Sequence, residues 1–149
     1  MIQVAISLGS NLGNRKENIE RAIELLDKKG IHILAISSFY ETVADGFDSD
    51  NLFTNAAAIA ETNLEPDELV NLVLSIENQL GRTRNSATYE DRIIDVDVLL
   101  YGGDVVETAV SQIPHPRMHL RRFVLEPLSE IAPNWVHPIL KRTIISMLK

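Results

Sequence analysis

Two aspartates one residue apart, Asp95 and Asp97, interrupt an apolar run from Ile93 to Tyr101 that reads as a strand. Side chains two apart on a strand share a face, so the two carboxylates stand side by side, their Cα atoms about 6.5–7 Å apart. Like charges that close, in apolar surroundings, repel each other and resist desolvation. Either one of them takes a proton or a divalent cation sits between them. Aspartate oxygens suit a hard ion such as Mg²⁺, which keeps some waters and takes its other ligands from phosphates. Arg82, Arg84 and Arg92 lie just upstream and carry the planar donor fork that phosphate oxygens accept. The stretch therefore has the parts of a metal–nucleotide site. The same parts also make a plain charge pair on an edge strand, facing water or tied to Arg82 or Arg92.

Cation placement favours the first arrangement. The chain of 149 residues has net charge −7, which disfavours non-specific binding to nucleic acid. No Lys or Arg occurs between Gly30 and Gly81, and from there to Leu140 every cation is an arginine between Arg82 and Arg122. An acidic chain that gathers arginines in one segment has a local anion site there. The length supports one domain, 1–149, with a real core. No cysteine is present, so disulfides and thiolate metal sites are excluded, in keeping with a cytoplasmic protein. No apolar run reaches membrane-spanning length, and the N-terminus reads as a strand rather than a signal peptide.

The elements that position these groups follow in order. Ile2–Leu8 reads as a strand, and Gly9-Ser10-Asn11-Leu12-Gly13 as a tight turn that matches neither common phosphate-loop pattern. Asn14 with Glu17 opens a helix whose face is Ile19, Ala22, Ile23 and Leu26, and Gly30 stops it. Ile31–Thr42 reads as a second strand, 43–51 as a loop, and Leu52–Thr62 as a third strand with Phe53, Asn55, Ala57 and Ile59 on one face. Asn55 either satisfies neighbouring backbone or reads the edge of a polar ring. Pro66 starts a second helix with Leu69, Leu72, Val73, Ile76 and Leu80 inside, and Gly81 ends it. Glu77, on the border of that face, is either a surface acid or a group that reaches the aspartates.

Strand, helix, strand, strand, helix, strand is the ferredoxin-like pattern, an α+β fold with an antiparallel sheet and helices on one face, here with C-terminal additions. Val105–Ile113 reads as irregular or as a short added strand, and Pro138–Lys149 as a closing helix packing Leu140, Ile144, Ile145 and Leu148. His115 stands between Pro114 and Pro116, close to Arg121.

Several blocks, taken together, resemble one family. They are Leu8 through Gly13, Ser38 through Thr42, Phe53 through Ala57, Ile76-Glu77, Gly81 through Arg84, Arg92 through Gly102, Ile113 through Met118, and Arg121 through Pro133. In this order and spacing they are similar to 6-hydroxymethyl-7,8-dihydropterin pyrophosphokinases. The resemblance implies transfer of diphosphate from ATP to the pterin hydroxymethyl oxygen, with release of AMP. It implies that Asp95 and Asp97 hold two Mg²⁺ ions on the ATP phosphates. Arg82, Arg84, Arg92, His115 and Arg121, with Glu77 beside them, would bind the nucleotide, Arg82 and Arg92 also serving catalysis. Phe53 and Phe123 would sandwich the pterin and Asn55 would bond its polar edge, with Thr42 to Asp45 adding backbone contacts. The expected partners are small molecules, without nucleic acid or membrane, and the expected state is a monomer.

The chemistry suits such a site. Diphosphoryl transfer needs alignment and neutralisation of charge more than covalent participation. A flat heterocycle gains from stacking, and its amide-like edge from a two-way partner such as Asn. The chain departs from the family pattern at Thr42-Val43-Ala44-Asp45-Gly46, which lacks a proline. It departs again at Thr88-Tyr89-Glu90-Asp91, where a cation and an indole are common, and at Gln112. These departures leave two other readings open: an ATP-dependent diphosphotransferase with another acceptor alcohol, and a nucleotide-binding module without turnover.

Overall fold

In the computed structural model, which describes residues 1–42, 52–81 and 93–148, the chain builds one antiparallel sheet with helices on both faces. Its strands are β1 (Ile2–Ser10), β2 (His32–Ile36), β3 (Tyr40–Thr42), β4 (Phe53–Thr62) and β5 (Asp95–Tyr101). The order is β2-β4-β1-β5, with β3 also pairing β4, and every pairing is antiparallel. This is the ferredoxin-like arrangement, with β1 inside and β5 at an edge.

Helices α1 (Arg15–Lys28) and α2 (Pro66–Gln79) cover one face. They bury Ile19, Ala22 and Leu26, and Leu69, Val73 and Ile76, against Val4, Ile6, Leu8 and the alternate residues of β4 and β5. Both ends are as the sequence indicates. Asn14 Oδ1 accepts the Glu17 N–H at 3.2 Å, and Gly81, at φ +101°, occupies the left-handed position after α2 that residues with a Cβ resist.

The second face corrects the expectation of helices on one side. Ala5, Ala57, Ile59, Leu99 and Leu100 are apolar there as well and need a cover. Helix α3 (Arg122–Ile131) supplies it through Val124, Leu125 and Leu128. Pro127 lies inside α3 and conceals its pattern in the sequence, since proline normally removes a helical hydrogen bond. Glu130 ties α3 to the sheet, accepting hydrogen bonds from Ser38 N–H (2.9 Å) and Tyr40 O–H (2.6 Å).

Other boundaries also differ. The strand expected over Ile31–Thr42 is broken at Ser37, whose Oγ accepts the Ala57 N–H and donates to the Ser38 carbonyl, displacing the ladder. The 105–113 segment is a hairpin of β6 (Val106–Glu107) and β7 (Gln112–Ile113). The closing helix is one short turn, α4 (Ile144–Met147). Before it, His137 Nδ1 accepts the N–H groups of Ile139 and Leu140, which makes a turn there. Ile144 and Met147 are buried, whereas Leu140 and Ile145 are exposed.

Candidate active site

The sheet register assembles the site. Gly9 of β1 stands opposite Asn55 on one side and Asp95 on the other, and Ser7 likewise lies between Ala57 and Asp97. Tyr40 extends the first row beyond Asn55. Directly paired residues point to the same face. Asp95, Asp97, Asn55 and Phe53 therefore share the α3 face, with Ala5, Ala57 and Ile59 under α3 and α4 at its other end. Two strand spacings separate the acids from the amide, about 10 Å.

The acids are half-buried and flanked by the small residues Ser7 and Gly9. Their hard oxygens fit Mg²⁺, whose remaining ligands come from water and phosphate. Among the described residues no third acid or imidazole joins them in a metal-holding group. Among the described residues, the protein's share of such a site would be the two carboxylates.

Glu77 takes the inward course of its two alternatives. It is 1% exposed, and its Oε2 accepts the Val96 N–H at 2.7 Å. Val96 is the residue between the two aspartates, so a carboxylate on α2 fixes the backbone that carries them.

His115 is held from two sides. Its N–H donates to the Leu99 carbonyl at 2.9 Å, and its Nδ1 accepts the Arg117 N–H at 3.1 Å. A neutral ring that accepts at Nδ1 carries its proton on Nε2. The pKa is lowered to about 4, first by burial, then by the Arg121 charge, with Asp95 pulling upward and Arg117 downward. At neutral pH His115 is therefore an uncharged donor. Its folded pKa lies below the free value of 6.5, so the unfolded chain takes the proton first as pH falls. Stability attributable to this group is complete above pH 6.5 and drains away between pH 6.5 and about 4. Thermal melts should show Tm falling over that window, with a shallower fall for His115→Asn.

Arg121 caps the start of α3, and its guanidinium lies 5.6 Å from the centroid of the Phe123 ring. Phe123 packs, half-buried, against the second apolar cluster. Asn55 is 4% exposed and donates from Nδ2 to Thr42 Oγ1 at 2.9 Å. Among the described residues, the Thr42 hydroxyl thus orients the amide. A cavity of about 130 Å³ opens beyond the β5 edge, between α2 and the β6–β7 hairpin. Val70, Val73, Leu74, Val96, Val98, Val110 and Ile113 line it together with the polar Asp97, Gln112 and His115.

The structure thus brings together Asp95, Asp97, Glu77, His115 and Arg121 on one side, and Thr42, Phe53 and Asn55 on the other. Arg82, Arg84, Arg92 and Asp45 lie outside the described residues. Sequence reasoning missed Gly9, which it placed in a turn. A Cβ there would meet Asn55 Oδ1 at 3.0 Å and Phe53 Cδ1 at 3.7 Å. A glycine at the end of a strand pattern is itself a sign of such close approach.

Comparison with known proteins bears on the family and the fold. Residues 5–133 match the family described as 7,8-dihydro-6-hydroxymethylpterin-pyrophosphokinase (HPPK). A Porphyromonas gingivalis 2-amino-4-hydroxy-6-hydroxymethyldihydropteridine pyrophosphokinase is 41% identical over 141 residues, covering 93% of this chain and 95% of that protein. The Aquifex aeolicus protein of the same name is 39% identical over 142 residues, 95% of this chain and 88% of its own. The Plasmodium falciparum HPPK-DHPS crystal structure superposes with a TM-score of 0.73 at 15% identity, a likeness of fold. It covers 99% of this chain, which spans only 44% of that longer one. The family model over residues 5–133 and relatives about 40% identical and of nearly equal length agree: the chain belongs to the 7,8-dihydro-6-hydroxymethylpterin-pyrophosphokinase family.

Proposed function

We propose that this chain transfers the β,γ-diphosphate of ATP to the hydroxymethyl oxygen of 6-hydroxymethyl-7,8-dihydropterin in folate biosynthesis. The acceptor hydroxyl gives up its proton to solvent as its oxygen bonds to the β-phosphorus, the bridge to the α-phosphate breaks, and AMP leaves. The observation that carries this reading is the pair of rows Asp95–Gly9–Asn55 and Asp97–Ser7–Ala57, which set two acids and an oriented amide on one sheet face. That both apolar clusters hang on one sheet supports 1–149 as one domain.

Asp95 and Asp97 would hold two Mg²⁺ ions, which supply neutralisation of the phosphate oxygens and alignment for in-line displacement. Glu77 keeps the aspartate backbone in place. The Nε2–H of neutral His115 donates to a phosphate oxygen, and Arg121 adds a fixed positive charge. Arg82, Arg84 and Arg92 complete the clamp as the sequence indicates. The cavity beside Asp97 and His115, with its aliphatic walls and polar border, takes the nucleobase. Phe53 and Phe123 provide ring faces for the pterin, and Thr42 holds the Asn55 amide towards its edge.

Gly9→Ala should separate the two substrates. The new methyl group presses on Asn55 Oδ1, so KM for the pterin should rise about tenfold while KM for ATP stays within about twofold. The proposal as a whole is tested by Mg²⁺-dependent AMP release from ATP with and without 6-hydroxymethyl-7,8-dihydropterin. Pterin-dependent AMP supports it, and release equal to the no-pterin control refutes it.

A further inference from the structure

Asp67 has no part in the chemistry above, yet it joins two walls of the cavity beside Asp97. One wall is α2, through Val70, Val73 and Leu74, and the other is the β6–β7 hairpin, through Val110, Gln112 and Ile113. Asp67 stands in the first turn of α2. Its Oδ1 accepts the Thr108 hydroxyl at 2.7 Å and the Ser111 hydroxyl at 2.5 Å. These partners are 41 and 44 residues distant and lie in the bend between the two hairpin strands.

The bend is itself organised around Thr108. Its Oγ1 accepts the N–H groups of Val110 (3.1 Å) and Ser111 (2.8 Å), and its own N–H donates to the Ser111 carbonyl at 2.9 Å. Ser111 is 2% exposed and Asp67 is half-buried. The hairpin is only two residue pairs long, too short to hold its shape alone. The two hydroxyl donors hold the Asp67 carboxyl below the usual range, Ser111 contributing most, so it is an anionic acceptor at neutral pH.

We propose that Asp67 is a positioning residue for nucleotide binding: a clasp that sets the width of the base cavity by tying the hairpin bend to α2. It touches neither substrate. It keeps Val110, Gln112 and Ile113 at the distance from α2 that a flat base needs, so that the cavity is formed before the nucleotide arrives. The proposal rests on the reading of that cavity as the nucleotide's.

The test is calorimetric titration of the full chain with α,β-methylene-ATP and Mg²⁺, beside steady-state kinetics. Asp67→Ala should weaken analogue binding and raise KM for ATP about tenfold, with kcat and the pterin KM within about twofold of the parent. Asp67→Asn, which keeps an acceptor oxygen, should recover most of the affinity. Ser111→Ala should weaken ATP in the same way, and the double variant should be little worse than Asp67→Ala alone, because both act through one link. Unchanged ATP affinity in Asp67→Ala overturns the clasp while the nucleotide reading stands. So does an equal loss for ATP and pterin that tracks Tm and is not recovered by Asn. A parent protein that binds no analogue overturns the nucleotide reading itself, and the clasp with it.

Discussion

Asp97→Ala should lower AMP formation by about three orders of magnitude, on the order of 4 kcal/mol of transition-state stabilisation. The expected loss is large because the sheet gives the site two carboxylates and, among the described residues, no further acid or imidazole groups with them to hold a metal. A single remaining acid cannot hold two cations, and the charge that spreads over the transferring phosphates is left without its main counterweight. The fold should be indifferent to the change. The side chain is half-buried at an edge strand, and its removal relieves repulsion from Asp95. Asp97→Asn should behave alike in turnover, since an amide keeps the shape but not the charge. The checks are steady-state AMP release at saturating substrates and a thermal melt. A variant that turns over normally removes the aspartates from the mechanism.

Glu77→Ala should cost both stability and rate. At 1% exposure Glu77 accepts the Val96 N–H, and its loss leaves a buried donor without that bond. Such a group costs about 2–3 kcal/mol, roughly 6–10 °C in Tm for a chain of this size. The freed backbone is the one that carries Asp95 and Asp97, so kcat should also fall, by about tenfold. Glu77→Gln keeps an acceptor oxygen without the cost of burying a charge, and should recover most of the stability. Melting curves and kcat for the two variants decide the matter. Equal damage from both would show that the charge of Glu77, rather than its hold on Val96, is what matters.

These two residues also show what can be read from the amino-acid order alone. Asp95 and Asp97 follow from a strand period of two and from electrostatics between neighbours. The caps at Asn14, Gly30, Pro66 and Gly81 follow from local backbone chemistry, so α1 and α2 lie where expected. What depends on register is harder to see. That Gly9 stands between Asn55 and Asp95 is a fact about three strands distant in sequence. Helix α3 was hidden by Pro127, and the break at Ser37 by a hydroxyl that stands in for backbone. Glu77 could be placed on its helix, but its direction is decided by the edge of β5. The hairpin of β6 and β7 is so short that its place comes from contacts distant in sequence: the tie to Asp67 and the packing of Ile113 and Val106 on the first apolar cluster.

The account depends most on cations held by the aspartate pair, and one measurement addresses that directly. Crystals grown with α,β-methylene-ATP, 6-hydroxymethyl-7,8-dihydropterin and Mn²⁺ in place of Mg²⁺ would locate the ions by anomalous scattering. The account predicts two peaks, both coordinated by oxygens of Asp95 and Asp97 and by phosphate oxygens of the analogue. A nucleotide bound with its phosphates away from these carboxylates, or seated with no metal on them, would contradict it.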